Sequence, residues 1–97
     1  MYIIKKIIPK TLKIFTFSEY IENYNIIHIN FNLPKFEDLK EYHKLYEYIS
    51  KNYIESKKNF ILIDEVQMCY GFEKALNGLH AEEKYDIYIT GSNAFLS

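Results

Sequence analysis

Three short apolar runs, each ending in polar residues, constrain this chain more than anything else in it. They are NIIHINF at 25–31, FILIDEV at 60–66 and YDIYIT at 85–90. Runs this short, rich in β-branched residues and bounded by Asn, Asp, Glu or Gly, read as buried strands. Between them the hydrophobic period changes to three and four. Phe36, Leu39, Tyr42 or His43, Tyr46, Ile49 and Tyr53 make one helical stripe over 36–54, with Glu47 four residues before Lys51 on its wet side. Phe72, Ala75, Leu76 and Leu79 make a shorter stripe, ended by Gly78 and His80-Ala81. Ile14, Phe17, Ile21 and Tyr24 predict a helix over 11–23. Ile3-Ile4 and Ile7-Ile8, ahead of Pro9, read as an edge strand or a frayed tail. Apolar strands separated by helices imply an α/β fold: a parallel sheet covered on both faces, with right-handed crossovers.

The rest of the composition narrows the function. A chain of 97 residues supports one domain, burying roughly 60–65% of its unfolded surface. Its 12 basic and 13 acidic residues leave a net charge of −1, so no surplus of positive charge exists to bind nucleic acid. All the basic residues are lysines; the absence of Arg removes bidentate phosphate contacts and arginine fingers. One cysteine, Cys69, excludes an internal disulfide and a Cys-based zinc site. No run of 18 apolar residues is present, and the N-terminus lacks the pattern of a secretory signal, so a cytoplasmic protein with no membrane partner is expected.

In an open parallel sheet, ligands bind beyond the carboxyl ends of the strands. The middle run passes from Phe60-Ile61-Leu62-Ile63 directly into Asp64 and Glu65. Neighbouring strand side chains point to opposite faces, so these two carboxylates would diverge. One would face a hydrated Mg²⁺, which uses only one or two protein carboxylates, and the other an attacking water. The last run closes on Thr90-Gly91-Ser92-Asn93, short hydroxyl and amide groups suited to a terminal phosphate or a water. Each pattern alone is also ordinary strand-end or turn chemistry. His28, His43, His80 and Cys69 lack metal-ligand spacing. His28, inside an apolar strand, reads as a satisfied core residue, and Cys69 as an inert thiol.

With these residues in view, the chain resembles the prokaryotic AAA-type P-loop ATPases that often carry a C-terminal nuclease-like domain. The resemblance rests on Phe60 to Gln67 (FILIDEVQ) as a Walker B segment, on GFEKALN at 71–77, and on YDIYITGSNAFL at 85–96 as a sensor-1 strand. It implies an incomplete three-layer parallel sheet of the P-loop NTPase (RecA/AAA-like) type, with ATP and Mg²⁺ as the family's cofactors. It further implies that Asp64 holds the Mg²⁺ water shell, that Glu65 orients the hydrolytic water, and that Thr90, Ser92 or Asn93 senses the γ-phosphate.

The departures matter as much. The family's GxxxxGK[ST] loop cradles phosphate with backbone N–H groups and a Lys. The corresponding window is Ile4-Lys5-Lys6-Ile7-Ile8-Pro9-Lys10-Thr11, where only Lys10 and Thr11 fit. Pro9 removes an N–H donor, and β-branched residues resist the positive φ such a loop requires. Residues 1–97 then read as one partial ATPase domain, with 1–10 a remnant loop or an unrelated start. The expected function is a truncated AAA-type ATPase domain, inactive alone and not binding ATP by itself. The alternatives are an interaction module that self-associates or docks on an intact relative, and a weak NTPase using Lys10 and Thr11.

Overall fold

The three apolar runs do form neighbouring strands. The computed structural model describes residues 2–6 and 23–92. In it β2 (Tyr24–Asn30), β3 (Lys58–Asp64) and β4 (Tyr85–Ser92) run parallel with β3 between the other two. Ile27, Ile61 and Ile87 stand in one row across the strands, and Ile29, Ile63 and Ile89 in the next. Because side chains alternate along a strand, both rows project from the same face. They join Leu45, Ile49, Ala75, Leu76 and Leu79 of the two helices in one core cluster. Leu45, Ile49, Leu79, Ile61 and Ile87 are fully buried, each worth about 1.5–3 kcal/mol of transfer free energy. The α/β reading therefore holds.

The sheet order is β1-β4-β3-β2, with β1 (Tyr2–Lys6) at the edge next to β4. Of the two readings for Ile3-Ile4 and Ile7-Ile8, the edge strand is borne out at Ile3-Ile4, while Ile7-Ile8 lie outside the described residues; the strand departs from the expected parallel direction. It pairs antiparallel with β4, from Tyr2 opposite Ser92 to Lys6 opposite Tyr88. An antiparallel edge strand on an otherwise parallel sheet is a common arrangement. The chain thus leaves β1 toward the amino end of β4, the end of the sheet at which β2 begins. The helix predicted over 11–23, and Lys10 and Thr11, lie outside the described residues apart from Asn23.

The long stripe over 36–54 is two elements rather than one. Pro34–Leu39 is a 3₁₀ helix, and an α-helix, α1, follows at Tyr42–Lys51. A period of three satisfies Phe36 and Leu39 as well as a period of 3.6 does, so the spacing alone did not reveal the break. The break falls at Glu41, which is extended (φ −137°, ψ 135°) and forms an isolated bridge with Tyr70. Tyr70 N–H donates to Lys40 O at 2.9 Å and Tyr42 N–H to Tyr70 O at 3.0 Å. The Glu41 carboxylate then caps α1 by accepting the Lys44 N–H at 3.2 Å, as N-terminal acceptors do. The expected Glu47–Lys51 pair forms at 3.2 Å.

The second helix, α2, runs Phe72–Ala81, so Gly78 lies inside it and does not stop it. Its role is a close approach: a Cβ there would stand 2.9 Å from Cε2 of the Tyr46 ring on α1. Gly71, just before α2, is required by its backbone. Its φ is +73°, and a Cβ would meet Tyr42 Cδ1 at 2.6 Å. Gly71→Ala should lower unfolding free energy by about 2 kcal/mol, the sum of left-handed strain and overpacking. Urea denaturation checks this; a loss of about 1 kcal/mol would show that the Tyr42 ring moves aside and only the left-handed strain remains, and one below about 0.5 kcal/mol that the turn itself relaxes.

Tyr46 also ties α1 to the end of α2 by donating its hydroxyl to Glu82 Oε2. The bond to the Glu82 carboxylate pushes the Tyr46 phenol up to about 12. The same bond, reinforced by Lys84, holds Glu82 below its ordinary range. Both shifts stabilise the fold within limits. The Tyr46 contribution is complete below pH 10.0 and fades as pH rises toward about 12. The Glu82 contribution is present above the ordinary carboxylate value and fades as pH falls through the lowered one. Tyr46→Phe should cost about 1 kcal/mol at neutral pH and return the Glu82 titration upward. Carboxyl NMR titration reads this, and an unmoved Glu82 would mean the pair does not form in solution.

Candidate functional site at the carboxyl edge

The register sets Asn30 beside Asp64, and one residue past the Ile63–Ile89 pair it sets Thr90 on Asp64's other flank. The carboxyl edge expected from the sequence therefore exists, and Asp64 stands at its centre. Its side chain is 38% exposed and has a partner on each oxygen. Oδ1 accepts the Thr90 hydroxyl at 3.1 Å, and Oδ2 lies 2.8 Å from His28 Nε2. Thr90 Oγ1 in turn accepts the Glu65 backbone N–H at 3.2 Å. One short network thus joins β2, β3 and β4 through a single carboxylate.

Glu65 diverges from Asp64, but not by strand alternation. It leaves the strand in the left-handed region (φ 60°, ψ 48°), turning the chain into the 3₁₀ segment Val66–Met68. For a residue with a Cβ this conformation costs about 1–2 kcal/mol. The Thr90 acceptor and the Met68 N–H bond to Glu65 O at 3.0 Å hold the turn. Glu65 is only 9% exposed, and its Oε1 accepts from Gln67 Nε2 at 2.6 Å. Gln67 Oε1 is itself buried without a hydrogen-bond partner. In this structure Glu65 is turned to Gln67, a neighbour that sequence reasoning had not singled out.

Sequence reasoning also misread His28. Its side chain is 54% exposed and pairs with Asp64, so it is no core residue. The apolar run around it alternates: Ile27 and Ile29 are buried while Ile26 is 37% exposed. Among the described residues both helices pack on the Ile27–Ile29 face, leaving the His28 face open at this edge. The available signal was parity, since His28 and Asn30 must share a face of β2.

The remaining predicted residues divide as follows. β4 continues through Gly91 to Ser92, past the turn expected at Gly91, because β1 pairs with it there. The Ser92 side chain and Asn93 lie outside the described residues, as do Lys10 and Thr11. Cys69 is 1% exposed, and burial, with Glu41 and Glu73 nearby, pushes its thiol up to about 11. That matches the expected inert thiol. A groove of about 480 Å³ between α1 and α2, lined by Tyr42, Tyr46 and Lys74 among others, includes none of the edge residues. Among the described residues no three His, Cys, Asp or Glu side chains cluster to hold a metal. No helix among them is long and apolar enough to cross a membrane.

Comparison with known proteins agrees with the strand arrangement. An uncharacterized protein of Haemophilus influenzae (strain ATCC 51907 / DSM 11121 / KW20 / Rd) is 35% identical over 77 residues, covering 78% of this chain and 19% of that protein. The chain therefore spans about a fifth of that relative's length. No solved structure matches it. Residues 5–97 match the family described as AAA domain, which covers nearly the whole sequence and all of β2, β3 and β4. The chain belongs to this AAA domain family.

Proposed function

We propose that these residues carry the carboxylate side of an AAA-type ATPase site. Asp64 faces the hydration shell of Mg²⁺, Glu65 orients the hydrolytic water once released from Gln67, and Thr90, Ser92 or Asn93 meets the γ-phosphate. The observation that carries this reading is the junction of three parallel strands through the Asp64 carboxylate. An exposed carboxylate with a hydroxyl beside it is a donor set that hydrated Mg²⁺ accepts, so the residues fit the ion. When bound, that ion would neutralise charge on phosphate oxygens.

The residues fit a nucleotide less well. Residues 1–97 contain no GxxxxGK[ST] segment and no Arg. The chain leaves β1 toward the amino end of β4, whereas a P-loop follows its strand at the carboxyl edge. On this reading the phosphate cradle comes from outside these residues, and the chain alone does not bind ATP. NMR titration with MgCl₂, and separately calorimetry with ATP and MgCl₂, test it. Mg²⁺ should shift the amides of Asp64, Glu65 and Thr90, an effect lost in Asp64→Ala, while ATP binding should not saturate below millimolar concentration. Saturable, Asp64-dependent ATP binding would instead favour a weak NTPase using Lys10 and Thr11.

A second reading, an interaction module docking on an intact relative, is favoured by one observation. Among the described residues β2 is an outer strand, with Ile26 on it 37% exposed and Leu33, just past its end, 44% exposed, and outer strands invite pairing. Light scattering after gel filtration, alone and with an intact family member, distinguishes it by a defined complex.

A further inference from the structure

We propose that His28 is a specificity-determining ligand: with Asp64 it forms a two-residue seat for a divalent ion and shifts the preference from Mg²⁺ toward Zn²⁺ or Co²⁺. The inference rests on the reading of Asp64 as the ion-facing carboxylate and adds a donor from a different strand. His28 Nε2 and Asp64 Oδ2 are 2.8 Å apart, with side chains 54% and 38% exposed. A cation about 2.1 Å from both atoms would see them about 85° apart, close to the angle between adjacent octahedral positions. The remaining positions open to water. Thr90 fixes the other carboxylate oxygen at 3.1 Å, so one atom of the pair is held while the exposed imidazole can adjust.

The chemistry of the pair decides the preference. Mg²⁺ takes hard oxygen ligands and gives up its waters reluctantly, so an imidazole adds little to its binding. Zn²⁺ and Co²⁺ bind imidazole nitrogen well. In the hydrogen bond to the Asp64 carboxylate the proton sits on Nε2; to accept the ion, the ring gives up that bond and the proton passes through solvent to Nδ1, leaving the Nε2 lone pair for the ion. A rival pair exists at the start of α1, where His43 Nδ1 lies 2.5 Å from Glu41 Oε1. Those two residues are two apart in sequence and sit at a helix cap, so any ion binding there must be separated experimentally.

The test titrates the chain in the His43→Gln background with ZnCl₂, CoCl₂ and MgCl₂. It follows the imidazole signals of His28, the amides of His28, Asp64 and Thr90, and the visible absorption of Co²⁺. Zn²⁺ should shift these signals saturably at a concentration at least tenfold below that needed for Mg²⁺. His28→Gln should erase that tenfold difference while leaving the Mg²⁺ response within about twofold. Asp64→Asn should remove the response to all three ions. The proposal is overturned if His28→Gln leaves the Zn²⁺ preference intact, if it strengthens ion binding (the imidazole then being a stopper), or if no ion shifts His28. Failure of His28→Gln alone leaves the reading of Asp64 standing. A Mg²⁺ response that persists in Asp64→Asn removes that reading as well.

Discussion

Asn59→Leu should lower unfolding free energy by about 3 kcal/mol, because one buried amide replaces several missing backbone partners. Asn59 is 2% exposed at the start of β3. Its Nδ2 donates to Ile54 O and Lys57 O, both at 2.8 Å. Its Oδ1 accepts the Ile54 N–H at 3.0 Å and Asn25 Nδ2 at 2.7 Å. All four hydrogen-bonding positions of the amide are thus filled. The side chain ties the turn after α1 to β3 and, through Asn25, to β2. Leucine keeps the branching and the number of side-chain heavy atoms but is bulkier and more hydrophobic, so the loss combines the missing hydrogen bonds with some overpacking at this buried position. Three of the stranded groups are main-chain, and each costs about 1–3 kcal/mol if it stays dry; the fourth, Asn25 Nδ2, keeps its bond to Asn52 O. Ile54 is 40% exposed, so water would recover part of that cost. Urea denaturation measures the total, and hydrogen exchange at the Ile54 amide should accelerate with it. A loss under about 1 kcal/mol would mean that the turn repartners its own backbone.

Thr90→Val should cost about 2 kcal/mol and disturb the candidate site more than the core. The two side chains are nearly the same shape, so the change isolates the hydroxyl. That hydroxyl donates a hydrogen bond to Asp64 Oδ1 and accepts one from the Glu65 N–H. Without it, the strained left-handed turn at Glu65 loses a partner and the Asp64 carboxylate is free to rotate. Two readouts should move together: denaturation midpoint, and the amide shifts of Asp64, Glu65 and Gln67. Thr90→Ser should restore both, since serine keeps the hydroxyl. If Thr90→Val shifts stability but leaves those amides unmoved, the network is not what positions Asp64.

Much of the fold was legible in the residues themselves. The runs at 25–31, 60–66 and 85–90 cover most of β2, β3 and β4, and the switch to helical spacing located α1 and α2. Asp64 was readable as a strand-end carboxylate because the apolar run stops there so abruptly. The misreadings share one cause. Gly78 looked like a helix stop, yet it lies where the Tyr46 ring of the neighbouring helix passes at 2.9 Å from its absent Cβ. The break at Glu41 depends on Tyr70, 29 positions away. Spacing along one chain reports local conformation and not what crosses it.

By itself, then, the sequence determined where the three parallel strands and the two α-helices lie, which residues carry the family resemblance, and that no P-loop glycines or arginines are present within 1–97. Those are properties of periodicity and residue type. Only the tertiary structure decided the antiparallel direction of β1, the left-handed turn that sends Glu65 to Gln67, and the pairing of His28 with Asp64. His28 and Asp64 are 36 residues apart, and they meet because β2 and β3 pair in one register. A slip of one residue would turn His28 to the opposite face. Register between distant strands is set by the packing of whole faces, so no local pattern around His28 contains it.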